Sequence, residues 1–321
     1  MKILVVGAGA IGGYFGGRLL QAGRDVKFLV RPRRAAALAK HGLSIKSRIG
    51  DFHLPAPPTV TEDGLQDPFD LVLLSCKAYD LDGAMASFAK AVGPRTAILP
   101  LLNGMQHLHA LADRFGPDHL LGGLCVISAT LDADGGIVHL GDLHSLTFGE
   151  LDGARSPRIE AIASTLSGAG FDARLSDAIR QDMWEKWIFI AALAGITCLM
   201  RAAIGDIVAA GASDLSTGLL DECVAIVASE GFPARRPFLD GVRATLQAPG
   251  STITASMLRD IEGGKPVEAE AILGDLLRRA SKADSHSLLR IAYAHVKAYE
   301  ARRERGEPMV EKTAQASNSQ A

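Results

Sequence analysis

Near the start of the chain, Gly7-Ala8-Gly9-Ala10-Ile11-Gly12 follows the apolar run Lys2–Val6 and opens a stretch with helical spacing. In that setting G-x-G-x-x-G has a steric logic. Gly7 permits a tight turn, Gly9 lets the backbone approach a pyrophosphate, and Gly12 lets helix and strand pack closely. The helix N-terminus then offers unpaired N–H groups to phosphate oxygens. A glycine-rich turn in some other α/β protein is the alternative, and the strand before and helix after count against it. The chemistry indicated is dinucleotide binding, with NADPH or NADH as the cofactor.

The end of the second strand separates the two cofactors. An NAD site usually carries Asp or Glu there to bind ribose hydroxyls. Here Val26–Val30 is followed by Arg31, with Arg33 and Arg34 behind it. A guanidinium at that point pairs with a 2′-phosphate through charge-assisted hydrogen bonds, which favours NADPH/NADP+. Arg31 is the expected contact, while Arg33 and Arg34 read as a solvated helix start. Lys77 and Asn103 also sit just past strand ends, where open α/β sheets bind ligands. For each, ordinary loop polarity is the competing reading.

The elements that must hold these residues alternate along the first half. Expected strands are Lys2–Val6, Val26–Val30, Leu71–Ser75 and Thr96–Leu99, with helices over Ile11–Ala22, Arg33–His41 and Leu81–Val92 between them. Such alternation predicts βαβ units and a parallel sheet. Leu43–Pro55 reads as an inserted hairpin, and Leu120–Thr130, Ile137–Leu140 and Ser145–Gly149 as further strands. After a last strand at Phe171–Leu175 the spacing turns helical, with Ser176 as a candidate N-cap. The expected organisation is α/β: an N-terminal dinucleotide-binding domain over 1–175, an all-helical domain over 176–303, and a disordered tail over 304–321.

Composition narrows the classes further. The 321 residues carry a formal net charge of −2, without the basic excess of a nucleic-acid binder. Four well-spaced cysteines in apolar stretches, with no metal-ligand spacing, read as reduced, buried thiols in a cytoplasmic protein. The glycine-studded N-terminus does not read as a signal peptide. The uncharged run Trp187–Met200 is short of the roughly 20 residues of a membrane span and is expected to be a core helix. The long apolar stretches of the helical half leave a homodimer open.

Taken together, GAGAIG, Arg31, Ser75-Cys76-Lys77-Ala78-Tyr79, Asn103-Gly104-Met105, Trp184-Glu185-Lys186, and Ser256-Met257 with Glu268 twelve residues beyond the serine resemble the ketopantoate reductase (2-dehydropantoate 2-reductase) family. The likeness covers nearly all of residues 1–300. It implies a Rossmann domain, a helical domain, a substrate cleft between them, and NADPH-dependent reduction of a 2-oxo acid to a 2-hydroxy acid. By position it places Lys77 and Asn103 near the nicotinamide end of the cofactor, with Asn103 also facing substrate. It makes Lys186 the catalytic lysine and general acid, and has Ser256 and Glu268 contact substrate or orient that lysine. Hydride added to a ketone leaves negative charge on oxygen, which an ammonium stabilises and protonates. Lys186 snorkelling from a buried helix, and Glu268 as an ordinary first-turn helix carboxylate, are the structural alternatives.

The family pattern breaks at three positions. Asparagines expected four and eight residues after the lysine, on the same helical face, are Ile190 and Ala194 here, and one expected three before the serine is Ile253. A site that loses amide partners stops selecting for a substrate hydroxyl. A divergent member acting on a more apolar 2-oxo acid or another ketone is expected. Ketopantoate reduction itself, in pantothenate biosynthesis, and a non-catalytic NADP-binding sensor are the alternatives. Arg201 could grip a carboxylate, or serve as a helix-end arginine bonding carbonyls.

Overall fold

The computed structural model describes residues 1–280 and 287–306. It divides into two compact units, Met1–Trp187 and Ile188–Ala321. The first contains β1 (Lys2–Val6), α1 (Ala10–Gln21), β2 (Asp25–Leu29), α2 (Pro32–His41), β3 (Leu43–Lys46), β4 (Phe52–Leu54), β5 (Thr59–Val60), β6 (Leu71–Leu74), α3 (Leu81–Phe88), β7 (Ala97–Pro100), α4 (Gln106–Phe115), β8 (Leu121–Leu131), β9 (Ile137–Glu150), α5 (Pro157–Leu166) and β10 (Asp172–Leu175). Helix α6 (Ile179–Met200) runs across the division.

Five strands form a parallel sheet in the order β5-β2-β1-β6-β7. Side chains of β1 alternate between two cores. Ile3 and Val5 pack with Tyr14, Phe15 and Leu19 of α1, and Leu4 and Val6 pack with Met85 and Phe88 of α3 and Leu111 of α4. Burial on both faces explains the unbroken apolar run of this strand. The second sheet has the order β10-β9-β3-β4, with β8 antiparallel to β9. The segments Ile137–Leu140 and Ser145–Gly149, expected as two strands, are one fourteen-residue strand. Its pairing with β8 breaks after Ile127–His144 and resumes at Ala129–His139, so 140–143 bulge out of the ladder while the strand runs on through both paired stretches.

Helix α1 lies between the sheets at a distance set by four glycines. A Cβ on Gly16 would stand 2.6 Å from Phe28, and one on Gly13 would stand 2.7 Å from Ile137 of β9. A Cβ on Gly17 would come 2.8 Å from Ile45 of β3. Gly12 and Gly16 therefore face the parallel sheet, and Gly13 and Gly17 face the second one, each pair one helical turn apart.

The second unit is helical: α7 (Ile204–Ala209), α8 (Ser213–Ser229), α9 (Arg236–Leu246), α10 (Ser256–Glu262), α11 (Asp275–Arg279) and α12 (Leu288–Glu304). The tail expected over 304–321 lies outside the described residues beyond Gly306. Glu222 of α8 caps α12, accepting the Leu288 and Leu289 N–H groups at 2.8 and 3.0 Å and the Ser287 hydroxyl at 2.6 Å. A carboxylate there answers both the orphan donors and the helix dipole. Thr197 of α6 accepts the Ala255 N–H at 3.3 Å, and Ile253 accepts from Ile204 at 3.1 Å, so the loop before α10 is laced to α6 and α7.

Helix α6 starts at Ile179, three residues after the candidate N-cap Ser176. Ser176 is not its N-cap. Its hydroxyl instead donates to Asp182 at 2.5 Å and accepts from the Ala178 N–H at 3.1 Å. By length and composition alone α6 suits a membrane, but 72% of its apolar window is buried, as for a core helix. Arg201 ends the helix with φ +53°, while the Ala202 N–H reaches back to the Thr197 carbonyl at 3.3 Å. This left-handed position usually belongs to glycine. Arg201→Gly is expected to raise stability by about 0.5–1 kcal/mol in urea unfolding. An unchanged midpoint would mean that the backbone carries no strain there.

Candidate functional site

The glycine run forms a turn with one sealed side and one open side. Gly7 has φ +92°, and its N–H donates to the Leu29 carbonyl at 3.0 Å, which sets the turn against β2. A Cβ on Gly12 would stand 2.1 Å from Ser75 Oγ and 2.3 Å from the Gly7 carbonyl oxygen. Ser75 braces this contact by donating to the Val6 carbonyl at 3.0 Å. Around Gly9, by contrast, a Cβ would meet nothing within 4 Å. The first intrahelical bond of α1 is Gly13 N–H to Gly9 carbonyl at 2.8 Å, so the N–H groups of Ala10, Ile11 and Gly12 lie ahead of the ladder. Open space over Gly9 beside three helix-terminal donors fits a pyrophosphate.

Arg31, Lys77 and Asn103 follow β2, β6 and β7, at the same C-terminal edge of the sheet as the turn. Arg31 precedes Pro32, the first residue of α2, and its guanidinium pairs with Asp80 at 2.8 Å. The expectation for Arg33 and Arg34 needs dividing. Arg33 is exposed, but Arg34 is half-buried and bonds the Ala8 carbonyl at 2.9 Å and the Gly135 carbonyl at 3.0 Å. Its role is to tie the turn to the β8–β9 connection, which burial makes worthwhile and helix position alone cannot reveal.

Lys186 lies half-buried on α6, beside the stacked Trp184 and Trp187 rings, whose centroids are 5.3 Å apart. Its charge acts on two buried groups of the first unit, His107 and Cys125. His107 stands in the first turn of α4, four residues after Asn103. It is 3% exposed, and neither ring nitrogen has a hydrogen-bond partner among the described residues. Burial first, and the Lys186 ammonium second, push its pKa down to about 3. Burial raises the Cys125 thiol, and Lys186 partly opposes that rise.

Ile190, Ala194, Arg201, Ser256 and Glu268 belong to the second unit. Ala194 is buried, Ile190 half-buried, and Ile253 and Ser256 exposed. Glu268 is buried but does not lie in the first helical turn. It precedes the helix and offers its carbonyl to the Ile272 N–H at 3.0 Å. A π-helical turn, Glu270–Gly274, follows at once, with Glu270 held by the Tyr293 hydroxyl at 2.6 Å. Arg201 is exposed at its helix end, where its charge acts on His295 and Tyr299 of α12.

The sequence assigns no role to His107 or Asp80, gives Ser75 only as part of a motif, and reads Arg34 as a solvated helix start. Ser75 opens the Lys77 motif and Asp80 directly follows it, which is the available signal. Nothing in the sequence distinguishes His107 from the other polar residues around it in α4.

The fold defines a class first: a Rossmann-type α/β unit followed by a helical unit. Within that class the chain matches two models in succession, ketopantoate reductase PanE/ApbA over residues 3–153 and its C-terminal counterpart over 178–300. It is 38% identical over 304 residues to the uncharacterized oxidoreductase YkpB of Bacillus subtilis, covering 94% of this chain and 99% of that one. A crystal structure of 2-dehydropantoate 2-reductase from Geobacter metallireducens superimposes with TM-score 0.83 at 29% identity, covering 93% and 99% of the two chains. A ternary structure of D-mandelate dehydrogenase with NADH and anilino(oxo)acetate shares the fold, with TM-score 0.83 at 22% identity over 95% and 100%. The chain belongs to the ketopantoate reductase family of oxidoreductases.

Two outcomes follow from this geometry. Gly12→Ala should cost about 2–3 kcal/mol of stability, because Ser75 and the Gly7 carbonyl leave the methyl no room. Gly9→Ala should melt within about 0.5 kcal/mol of the parent yet bind NADPH or NADH at least ~10-fold more weakly in a fluorescence titration. Equal affinity would remove the pyrophosphate from Gly9. For His107 the unfolded chain takes up a proton near 6.5 and the folded chain only near 3, so stability falls as pH drops through that window. Between about pH 6.5 and 4.5 the loss is about 2–3 kcal/mol, and His107→Met should flatten that part of the pH profile in urea unfolding. An identical profile in the variant would show that the fold does not lower the His107 pKa.

Proposed function

We propose that the chain is an NADPH-dependent reductase that converts a 2-oxo acid or related ketone with an apolar side chain to the corresponding alcohol, with Lys186 as general acid. The observation that carries this reading is the pairing of an open phosphate turn at Gly9 with a half-buried lysine in the same unit. The charge of that lysine is felt at His107, beside the β7 strand end. When bound, the reduced nicotinamide supplies hydride to the carbonyl carbon. The protein's part is to hold the dinucleotide by the N–H groups of α1, to place a cation where negative charge develops on oxygen, and to deliver a proton from Lys186 Nζ.

NADPH is favoured over NADH because Arg31 stands where an acidic residue would bind a bare ribose. Lys77 and Asn103 follow neighbouring strands and are assigned to the nicotinamide end. Ser256 and Glu268 are assigned to substrate contact and lysine orientation by the family pattern alone. The substrate preference rests on Ile190, Ala194 and Ile253, where that pattern has amides. D-mandelate dehydrogenase, of the same fold, acts on a 2-hydroxy acid with an apolar phenyl group, so an apolar substituent is compatible with this architecture. Ketopantoate itself is the second reading, favoured by the name of the Geobacter metallireducens enzyme.

An NADPH-oxidation screen over 2-oxo acids of graded size and polarity tests the proposal. Apolar 2-oxo acids should turn over with kcat/KM of about 10⁴ M⁻¹s⁻¹ or more, above ketopantoate. The reverse order would restore ketopantoate as the substrate. Lys186→Ala should lower kcat by roughly 10²–10⁴-fold while NADPH affinity stays within about threefold. Unchanged turnover would remove Lys186 from the reaction.

A further inference from the structure

We propose that Asp80 sets how strongly the chain discriminates between dinucleotides with and without a 2′-phosphate, by occupying the guanidinium that would receive that phosphate. This rests on the reading of Arg31 as the phosphate partner.

Strands β2 and β6 flank β1, and Leu29 and Leu74 both stand opposite Val6, so the two flanking strands end at one level. With about 4.8 Å between neighbouring strands, those ends lie roughly 10 Å apart, on either side of the glycine turn. Arg31 follows the first and Asp80 the segment after the second, and their side chains meet at 2.8 Å. The pair therefore joins the two flanks of the edge where parallel sheets of this kind take their ligands.

Support of the fold does not account for this pair. The side chains of Arg31 and Asp80 are 78% and 39% exposed, and ion pairs in water contribute little stability. Pro32 fixes the start of α2 without help from the Arg31 side chain, which makes no capping bond. Arg34 is committed to Ala8 and Gly135, which leaves Arg31 and the exposed Arg33 to meet a phosphate at this strand end.

The electrostatic consequence has a definite sign. A 2′-phosphate brings close to two negative charges and must displace a carboxylate already bonded to its partner, then tolerate that carboxylate nearby. A bare ribose meets no such competition. Its 2′-hydroxyl can donate to the Asp80 carboxylate, the role usually filled by an acidic residue at the end of the second strand. One ion pair thus offers an acceptor to one cofactor and a donor to the other, and narrows the gap between them.

The test measures binding, with NADPH and NADH titrated by protein fluorescence into the parent, Asp80→Asn, Arg31→Met and the double variant. Thermal melting of each verifies the fold. Asp80→Asn should tighten NADPH by about tenfold and weaken NADH by about threefold. The NADPH gain should vanish when Arg31 is already Met, since the two residues act as one coupled unit. A preference ratio unchanged within about twofold in Asp80→Asn, or the same gain in the Arg31→Met background, would overturn the proposal. If Arg31→Met weakens NADPH while Asp80→Asn changes nothing, only the role of Asp80 falls. If Arg31→Met leaves NADPH affinity unchanged, the phosphate reading of Arg31 fails and takes this proposal with it.

Discussion

In the first unit the distance between helix α1 and the two sheets that enclose it sets the remaining geometry. Any side chain larger than hydrogen at Gly16 would strike Phe28, and one at Gly13 or Gly17 would strike Ile137 or Ile45. Because α1 presents bare backbone on two sides, one helix serves as the contact layer for both sheets, and Ile3, Phe28, Ile45, Ile137 and Phe148 merge into one core. The same closeness brings the first turn of α1 directly over the end of β1. The glycine turn is thus a by-product of helix–sheet packing, sealed at Gly12 by Ser75 and left open at Gly9.

Arg34, Ser75 and Gly7, the polar groups bonded at that turn, are committed by the same packing. Arg34 supports the Ala8 and Gly135 carbonyls, Ser75 the Val6 carbonyl, and Gly7 the Leu29 carbonyl. What remains uncommitted by the backbone is exposed at the sheet edge, where Arg31 finds a carboxylate. His107 in α4 differs: it is buried, and neither ring nitrogen has a partner among the described residues. An imidazole in that position is held neutral by burial first and by the Lys186 charge second. A second cation beside Lys186 would oppose its ammonium, and the low pKa of His107 removes that conflict.

The second unit is organised differently, around helix ends. Glu222 caps α12, Thr197 and Ile253 fasten the loop before α10, and Arg201 closes α6 in the left-handed region. The Glu222, Thr197 and Ile253 solutions use a side chain or carbonyl from a distant part of the chain to satisfy groups at helix starts, whereas the end of α6 closes locally. The π-helical turn after Glu268 belongs with these. Glu270 is shared between Tyr293 and Arg278, and a Cβ at Gly274 would stand 2.7 Å from Glu270 Oε2.

By itself the sequence determined the alternation of strands and helices in the first unit, the glycine turn, Arg31 at a strand end and a lysine on an apolar helix. These are written in local spacing: period two or 3.6 for the elements, and fixed offsets for the turn. Tertiary structure alone decided that Ile137–Glu150 is one strand, since both of its paired stretches lie against the same β8 on either side of a bulge, and that Arg34 is a structural tie, since Gly135 lies about a hundred residues away. It also decided that α6 begins at Ile179, that His107 is buried and feels the Lys186 charge, and that Arg31 meets Asp80. These depend on which surfaces converge from distant segments, and burial, desolvation and charge pairing are properties of that convergence rather than of residue order.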